Sequence, residues 1–236
     1  MRTILICGCF VLFFQQTFAQ YVSANQTNST GIAYNTYDIS GRPFTNSYID
    51  ISGSPYVNEG WKVAELDLGD GKKVAGMKIK INGYSNEIHF LAANNQEFTT
   101  PAGVVRTVRF MDSALQPPAL KLYQCGFPAI ENLVAESFYE VLSVGKATLL
   151  KSELKKVEEI KEEMSGEKTR QFQTYENLYV FQNGTISRLK KDKSALMEMM
   201  VDQKEKIEAF VAAEKINFKN PESLKKLFDY YNGLSK

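Results

Sequence analysis

The sequence is short of the residues that bind metals and staple small folds: in 236 residues it has one histidine, His89, and three cysteines. Cys7 and Cys9 lie in the apolar N-terminal stretch, so Cys125 is alone in the rest of the chain and no intramolecular disulfide is expected there. One histidine and one cysteine cannot form a dedicated zinc site without several carboxylates. Asp67, Asp70 and Gly71 suggest part of a calcium loop, but the regular acidic spacing and the closing glutamate are missing, so a hairpin turn is the better reading. The phosphate loop, the G-x-G-x-x-G fingerprint and the G-x-S-x-G elbow are absent, and no cofactor is expected.

Charge of one sign is also missing. The chain has 28 Lys plus Arg against 27 Asp plus Glu, which gives no global field to draw nucleic acid or an anionic membrane. The cluster of Arg188, Lys190, Lys191 and Lys193 is broken by Asp192 and reads as a solvated helix entrance. No apolar run reaches the roughly 20 residues that a membrane-spanning helix needs.

What the N-terminus does have is an export pattern. Arg2 precedes an apolar stretch from Ile4 to Phe14, and Thr17-Phe18-Ala19 supplies small residues at the first and third positions before a cut. Residues 1–19 are therefore expected to be a signal peptide, cleaved between Ala19 and Gln20. Cutting before Cys9, as in a lipoprotein, would leave too short an apolar segment. The expected location is periplasmic or extracellular, with no membrane span after cleavage. An exported chain without disulfides suits a bacterial envelope better than an animal secretion.

Residues 20–45 are rich in Asn, Ser and Thr and read as a polar lead-in or tether, with N-x-S/T sequons at Asn25 and Asn28; a third is at Asn183. From Trp61 onward, short alternating segments such as Met77, Ile79 and Ile81 between lysines predict half-buried strands. Asp70-Gly71, Asn82-Gly83 and Asn183-Gly184 supply turn residues that tolerate positive φ. Leu150, Leu154, Val157, Ile160 and Met164 fit a helical stripe, yet a strand from Lys146 could pair with YENLYVFQNGTISRL. The segment 191–236 predicts helices, with a capping box over Asp202 to Glu205 and an N-cap at Asn220 before Pro221. The expected fold is α+β: an antiparallel β meander over 46–190, followed by a short C-terminal helical cap over 191–236.

The words SGSPYVNEGWKVAELDLGDGKKV, QCGFPAI, SFYEVLSVGKATLLK, NLYVFQNGTISRLKKDKSALMEMM and LKKLFDYYNGL resemble those of a group of exported proteins from Bacteroidetes-type bacteria with no established activity. The likeness spans about residues 52–234. It implies no catalytic residue, and it implies a long hairpin, hence strand, over Lys146 to about Val157.

Three residues stand as candidates for chemistry. Glu65 and Asp67 share a strand face and could act as acid and base, although neighbouring acids on an exposed face are ordinary. His89, between Ile88 and Phe90, is expected as a partly exposed surface histidine, and a general base there would need a nucleophile that the sequence does not identify. Cys125 is expected as a small buried apolar residue, and Phe138-Tyr139 and Tyr230-Tyr231 as packing residues. The expected function is that of an exported, non-catalytic envelope protein that binds a macromolecule or ligand through its sheet. The alternatives are a carrier of an apolar ligand such as a lipid, and a hydrolase-type enzyme using Glu65, Asp67 or His89.

Overall fold

Alternation of apolar and polar side chains sets each strand's buried face, and the computed structural model describes residues 36–38, 43–44, 48, 50–92, 94–161 and 168–234. The expected cleavage site at Ala19 and Gln20, the sequons at Asn25 and Asn28, and residues 20–35 of the expected lead-in lie outside the described residues. The lead-in's last part is in the sheet: β1 (Thr36–Asp38) and β2 (Pro43–Phe44) pair with each other. After β3 (Ile51–Ser52) come β4 (Lys62–Leu68), β5 (Lys73–Ile81), β6 (Ile88–Leu91), β7 (Glu97–Thr100), β8 (Val105–Asp112) and β9 (Ala119–Gln124). The strands end with β10 (Tyr139–Ser143), β11 (Thr148–Lys161), β12 (Lys168–Gln182) and β13 (Thr185–Arg188).

These thirteen strands, counted among the described residues, form one mixed sheet in the order β13-β12-β11-β10-β9-β8-β4-β5-β6-β7-β1-β2, with β3 beside β12. The expected simple antiparallel meander is corrected in two ways. The connection after β7 returns the chain to β4, so that β8 begins a second meander at β4's free side. Two ladders, β1 with β7 and β3 with β12, are parallel. The reason lies in edge pairing: β1 occupies the edge of β7, while Val108 and Phe110 of β8 match the buried Leu66 and Ala64 of β4.

The sheet is rolled. β5 and β11 stand five strand spacings apart in the order, about 24 Å if the sheet were flat. Yet Lys155 N donates to Gly83 O at 3.2 Å, beyond Ser152, where β10 has ended. A Cβ on Gly83 would lie 2.9 Å from Glu153 O, so a glycine is needed for the two backbones to touch. The Asn82-Gly83 pair is thus not the tight hairpin expected: the connection runs from 82 to 87, and positive φ falls on Asn86. Residues 51–57 lie over the closure, with Ile51 opposite Arg170 of β12 and Val57 N donating to Ile81 O at 2.9 Å.

Ala64, Leu66, Ile79, Ile81, Ile88, Val108, Phe110 and Tyr123 fill the first core. β11 and β12 are buried on both faces at Leu149-Leu150 and at Leu178 to Val180. Leu149, Leu178 and Val180 meet the helices, while Leu150 and Tyr179 face a third cluster with Phe127 and Leu133. This double burial explains the unbroken apolar Leu149-Leu150, and pairing along the whole of β11 selects strand over the helical stripe. Asn183 and Gly184 carry φ of 52° and 76° in the two-residue turn between β12 and β13.

The C-terminal part comprises α1 (Lys193–Met199), a 3-10 turn (Val201–Gln203), α2 (Lys204–Ala213) and α3 (Pro221–Leu234). Among the described residues no helix is long and apolar enough to cross a membrane. Asp192 and Asn220 cap α1 and α3 through the N–H groups of Ala195 and Ser223, both at 2.9 Å. The expected box at Asp202 does not form, because Asp202 sits in the 3-10 turn, where it accepts from Lys146 Nζ (2.6 Å) and Tyr231 Oη (2.9 Å). Asn232 pins α3 to the sheet: Ala147 N donates to its Oδ1 at 3.0 Å, and its Nδ2 donates to Ala147 O at 2.9 Å and Ser143 Oγ at 3.1 Å.

Gly83→Ala should lower unfolding free energy by about 1–3 kcal/mol, since the added methyl meets backbone on β11 that cannot give way cheaply. Gly233→Ala, on a helix with nothing within 4 Å, should be neutral or stabilise by up to about 1 kcal/mol. Urea titration of the two variants tests the closure; equal midpoints would contradict it.

Candidate functional site

The sheet face turned away from the first core carries the candidates. Strand register places Glu65 and Asp67 of β4 on it, with Arg109 and Thr107 beside them on β8 and Lys80 and His89 as neighbours on β5 and β6.

His89 is corrected from a surface histidine to a buried one, 2% exposed. Alternation placed its ring on the outer face, but Tyr56 from the 51–57 segment lies over that face, with its ring centroid 5.1 Å from the imidazole. Asn82 Oδ1 accepts from the backbone N–H groups of Tyr84 (2.9 Å) and Ser85 (3.1 Å), which fixes the amide's orientation and turns Nδ2 toward His89 Nε2 at 3.4 Å. Nε2 is then the acceptor, and Nδ1 carries the proton that it donates to Glu97 Oε1 at 2.6 Å. Tyr56 Oη donates to the same Glu97 oxygen at 3.3 Å. Burial acts to raise the Glu97 carboxyl, but the hydrogen bond from His89, the charge of Lys80 and the Tyr56 hydroxyl outweigh it and hold the group below its ordinary value. Burial, then the charge of Glu97 and the hydrogen bond to it, push the Tyr56 hydroxyl up. The Lys80 ammonium lies 4.7 Å from the ring centroids of both Tyr56 and Trp61. This cluster clamps Tyr56 to the sheet. For general-base work Nε2 would have to face a substrate, and it faces Asn82 instead.

Glu65 and Asp67 are not brought to His89. Arg109 donates to both oxygens of Asp67, at 2.8 and 2.7 Å, and these bonds hold that carboxyl below its ordinary value. Glu65 lies 3.9 Å from Arg109 Nε on the exposed side of the same cluster. β5 separates β4 from β6, and no ion pair or hydrogen bond among the described residues joins either acid to His89. Asp70 accepts from Lys72 N at 3.1 Å and pairs with Lys72 Nζ at 2.8 Å, as a turn residue does. Cys125 is buried and its thiol donates to Val105 O at 3.3 Å; burial raises its pKa despite Arg106. Among the described residues, no three His, Cys, Asp or Glu side chains are grouped so as to hold a metal ion.

Two arrangements escaped the sequence reading. On the inner face Glu140, almost fully buried, pairs with Lys121, and Lys151 lies 3.9 Å from its other oxygen while also meeting Glu153 and Glu176 at 2.8 and 3.0 Å. On the outer face Val63, Met111 and Leu120 are 61%, 59% and 64% exposed. Met111 pairs with Leu120, and the register that sets Ala64 opposite Phe110 sets Val63 beside Met111, so the three form one row across β4, β8 and β9. Lys78 continues the row on β5. The signal was in the sequence as apolar residues at the polar phase of their strands, but it can be read only once the phase is known.

Because the Glu97 pKa is lowered on folding, its share of stability is present above 4.5, the ordinary value, and is lost as pH falls from there through the folded value. Urea stability should therefore fall over that acid window in the native chain, and Glu97→Gln should flatten the fall; an unchanged slope would show that the clamp does not couple to folding. No protein-family model matches the chain, and no curated protein or solved structure matches it either.

Proposed function

We propose that the chain is an exported, non-catalytic binding protein of a bacterial cell envelope that engages a partner protein through the outer face of β4, β8 and β9. The observation that carries this reading is the exposed row of Val63, Met111 and Leu120. Three large apolar side chains side by side, each more than half exposed, leave a hydrophobic surface that a partner would cover favourably. The next row toward the far end of the strands holds the paired Glu65 and Arg109, with Asp67 beyond, a polar rim whose charges are already matched. Export rests on the N-terminal pattern of Arg2, the apolar stretch and Thr17-Phe18-Ala19. The resemblance to exported Bacteroidetes-type proteins agrees with it.

Three observations favour surface docking over the alternatives. At the closure, the space lined by Asn82, Gly83, Ser137 and Ser152 is about 10 Å3, room for about one water rather than a lipid chain. Another hollow among the described residues, about 450 Å3 beside α1 and α2, is an open groove lined in part by Lys193, Glu198, Lys204 and Glu208. A hydrolase reading would need His89 to face a substrate, and its Nε2 faces Asn82.

A photo-reactive side chain at Leu120, irradiated in intact cells of the host, should cross-link one envelope protein. Met111→Asp combined with Val63→Asp should weaken that partner's binding by about tenfold or more, with an unchanged melting temperature. Lipid adducts alone, or cross-linking that the double variant leaves intact, would overturn the reading.

A further inference from the structure

The chain has three Asn-Gly pairs, Asn82-Gly83, Asn183-Gly184 and Asn232-Gly233, and the fold treats them differently. Asparagine before glycine can lose its side-chain amide without an enzyme. The glycine's backbone nitrogen, its proton taken by water or hydroxide, attacks the side-chain Cγ. The bond from Cγ to the amide nitrogen breaks, and ammonia leaves. Water then opens the resulting ring at either carbonyl, giving aspartate or isoaspartate, so the sum is one water consumed and one ammonia released. Attack requires a free side-chain amide, a backbone that can rotate, and solvent.

Two of the pairs lack a free amide and a backbone that can rotate. Asn82 is fully buried, its Oδ1 bonded by two backbone N–H groups and its Nδ2 by Tyr48 Oη and His89, and Gly83 N already donates to Pro55 O at 2.9 Å. Asn232 is buried inside α3, with its amide held by Ala147 and Ser143 on the sheet. The third pair has what the reaction needs. Asn183 is exposed, no hydrogen bond to its side chain occurs among the described residues, and nothing lies within 4 Å of a Cβ position on Gly184. The pair forms the turn into β13, a strand of four residues at the end of the sheet, where local opening takes little free energy.

We propose that Asn183 is a site of spontaneous deamidation, at which the folded protein converts to aspartate and isoaspartate while Asn82 and Asn232 stay amides. Isoaspartate adds a carbon to the main chain. In a two-residue turn this displaces Thr185 from Gln182 and with it the register of β13. β13 places Ile186 in the third core and leads to Leu189 in the helical core, so ageing at Asn183 loosens the join between sheet and helices.

The test is incubation of the full folded chain at mildly alkaline pH, followed by peptide mapping with isoaspartate quantified at each asparagine. Asn183 should deamidate about tenfold faster or more than Asn82 and Asn232, and in urea the three rates should converge to within about a few-fold. Two results would overturn the proposal: Asn183 remaining an amide in the folded chain while it reacts in urea, or Asn82 or Asn232 keeping pace with it under native conditions.

Discussion

The backbone contact between Gly83 and β11 is the constraint on which the rest of the molecule depends. A ribbon of strands presents two faces and two edges to water, and one layer alone cannot cover its own apolar side chains. Bringing the β5-β6 connection against β11 bends β5, β4, β8, β9 and β10 around Ile79, Ile81, Ile88, Val108 and Phe110. It also occupies the edge of β11 beyond the last residue paired with β10. Without a glycine at 83 the two main chains could not approach to hydrogen-bond distance.

Closure has a consequence for polar chemistry. The segment that covers the join carries Tyr56 across the outer face, and burying His89 beneath it requires that each imidazole nitrogen have a partner. Asn82 and Glu97 supply these, and Lys80 lies between the rings of Tyr56 and Trp61. Glu140 meets the same need on the inner face, set between Lys121 and Lys151. Such clusters are what a functional search picks out, being titratable groups close together. Here the two nitrogens of His89 face Asn82 and Glu97, and the two oxygens of Glu140 face Lys121 and Lys151. The outer row of Val63, Met111 and Leu120 is the opposite case, apolar surface left uncovered.

Much of the local structure was legible. Alternation marked the strands from Trp61 onward, Asn183-Gly184 marked a two-residue turn, and Asn220-Pro221 marked the start of α3. The α/β ambiguity of residues 150–161 was real, because a strand that is buried on both faces at its start loses its alternation there and a helical stripe can be drawn through it, while Met164 of that stripe lies outside the described residues. The capping box failed because Asp202 is drawn to Lys146, 56 residues away, and to Tyr231. His89 was misread because alternation tells which face a side chain occupies and not what lies over that face.

The sequence by itself determined the phase of the strands, the sign and balance of charge, the scarcity of metal ligands, and the cap of α3. These depend on dihedral preferences and side-chain chemistry acting over a few residues. The tertiary structure alone decided that β8 joins β4, that His89 is buried, that Val63, Met111 and Leu120 line up, and which of three Asn-Gly amides is left free. Each of those depends on segments far apart in the chain, such as Tyr56 laid over His89 33 residues later, and burial of this kind is a property of the closed sheet rather than of any local pattern.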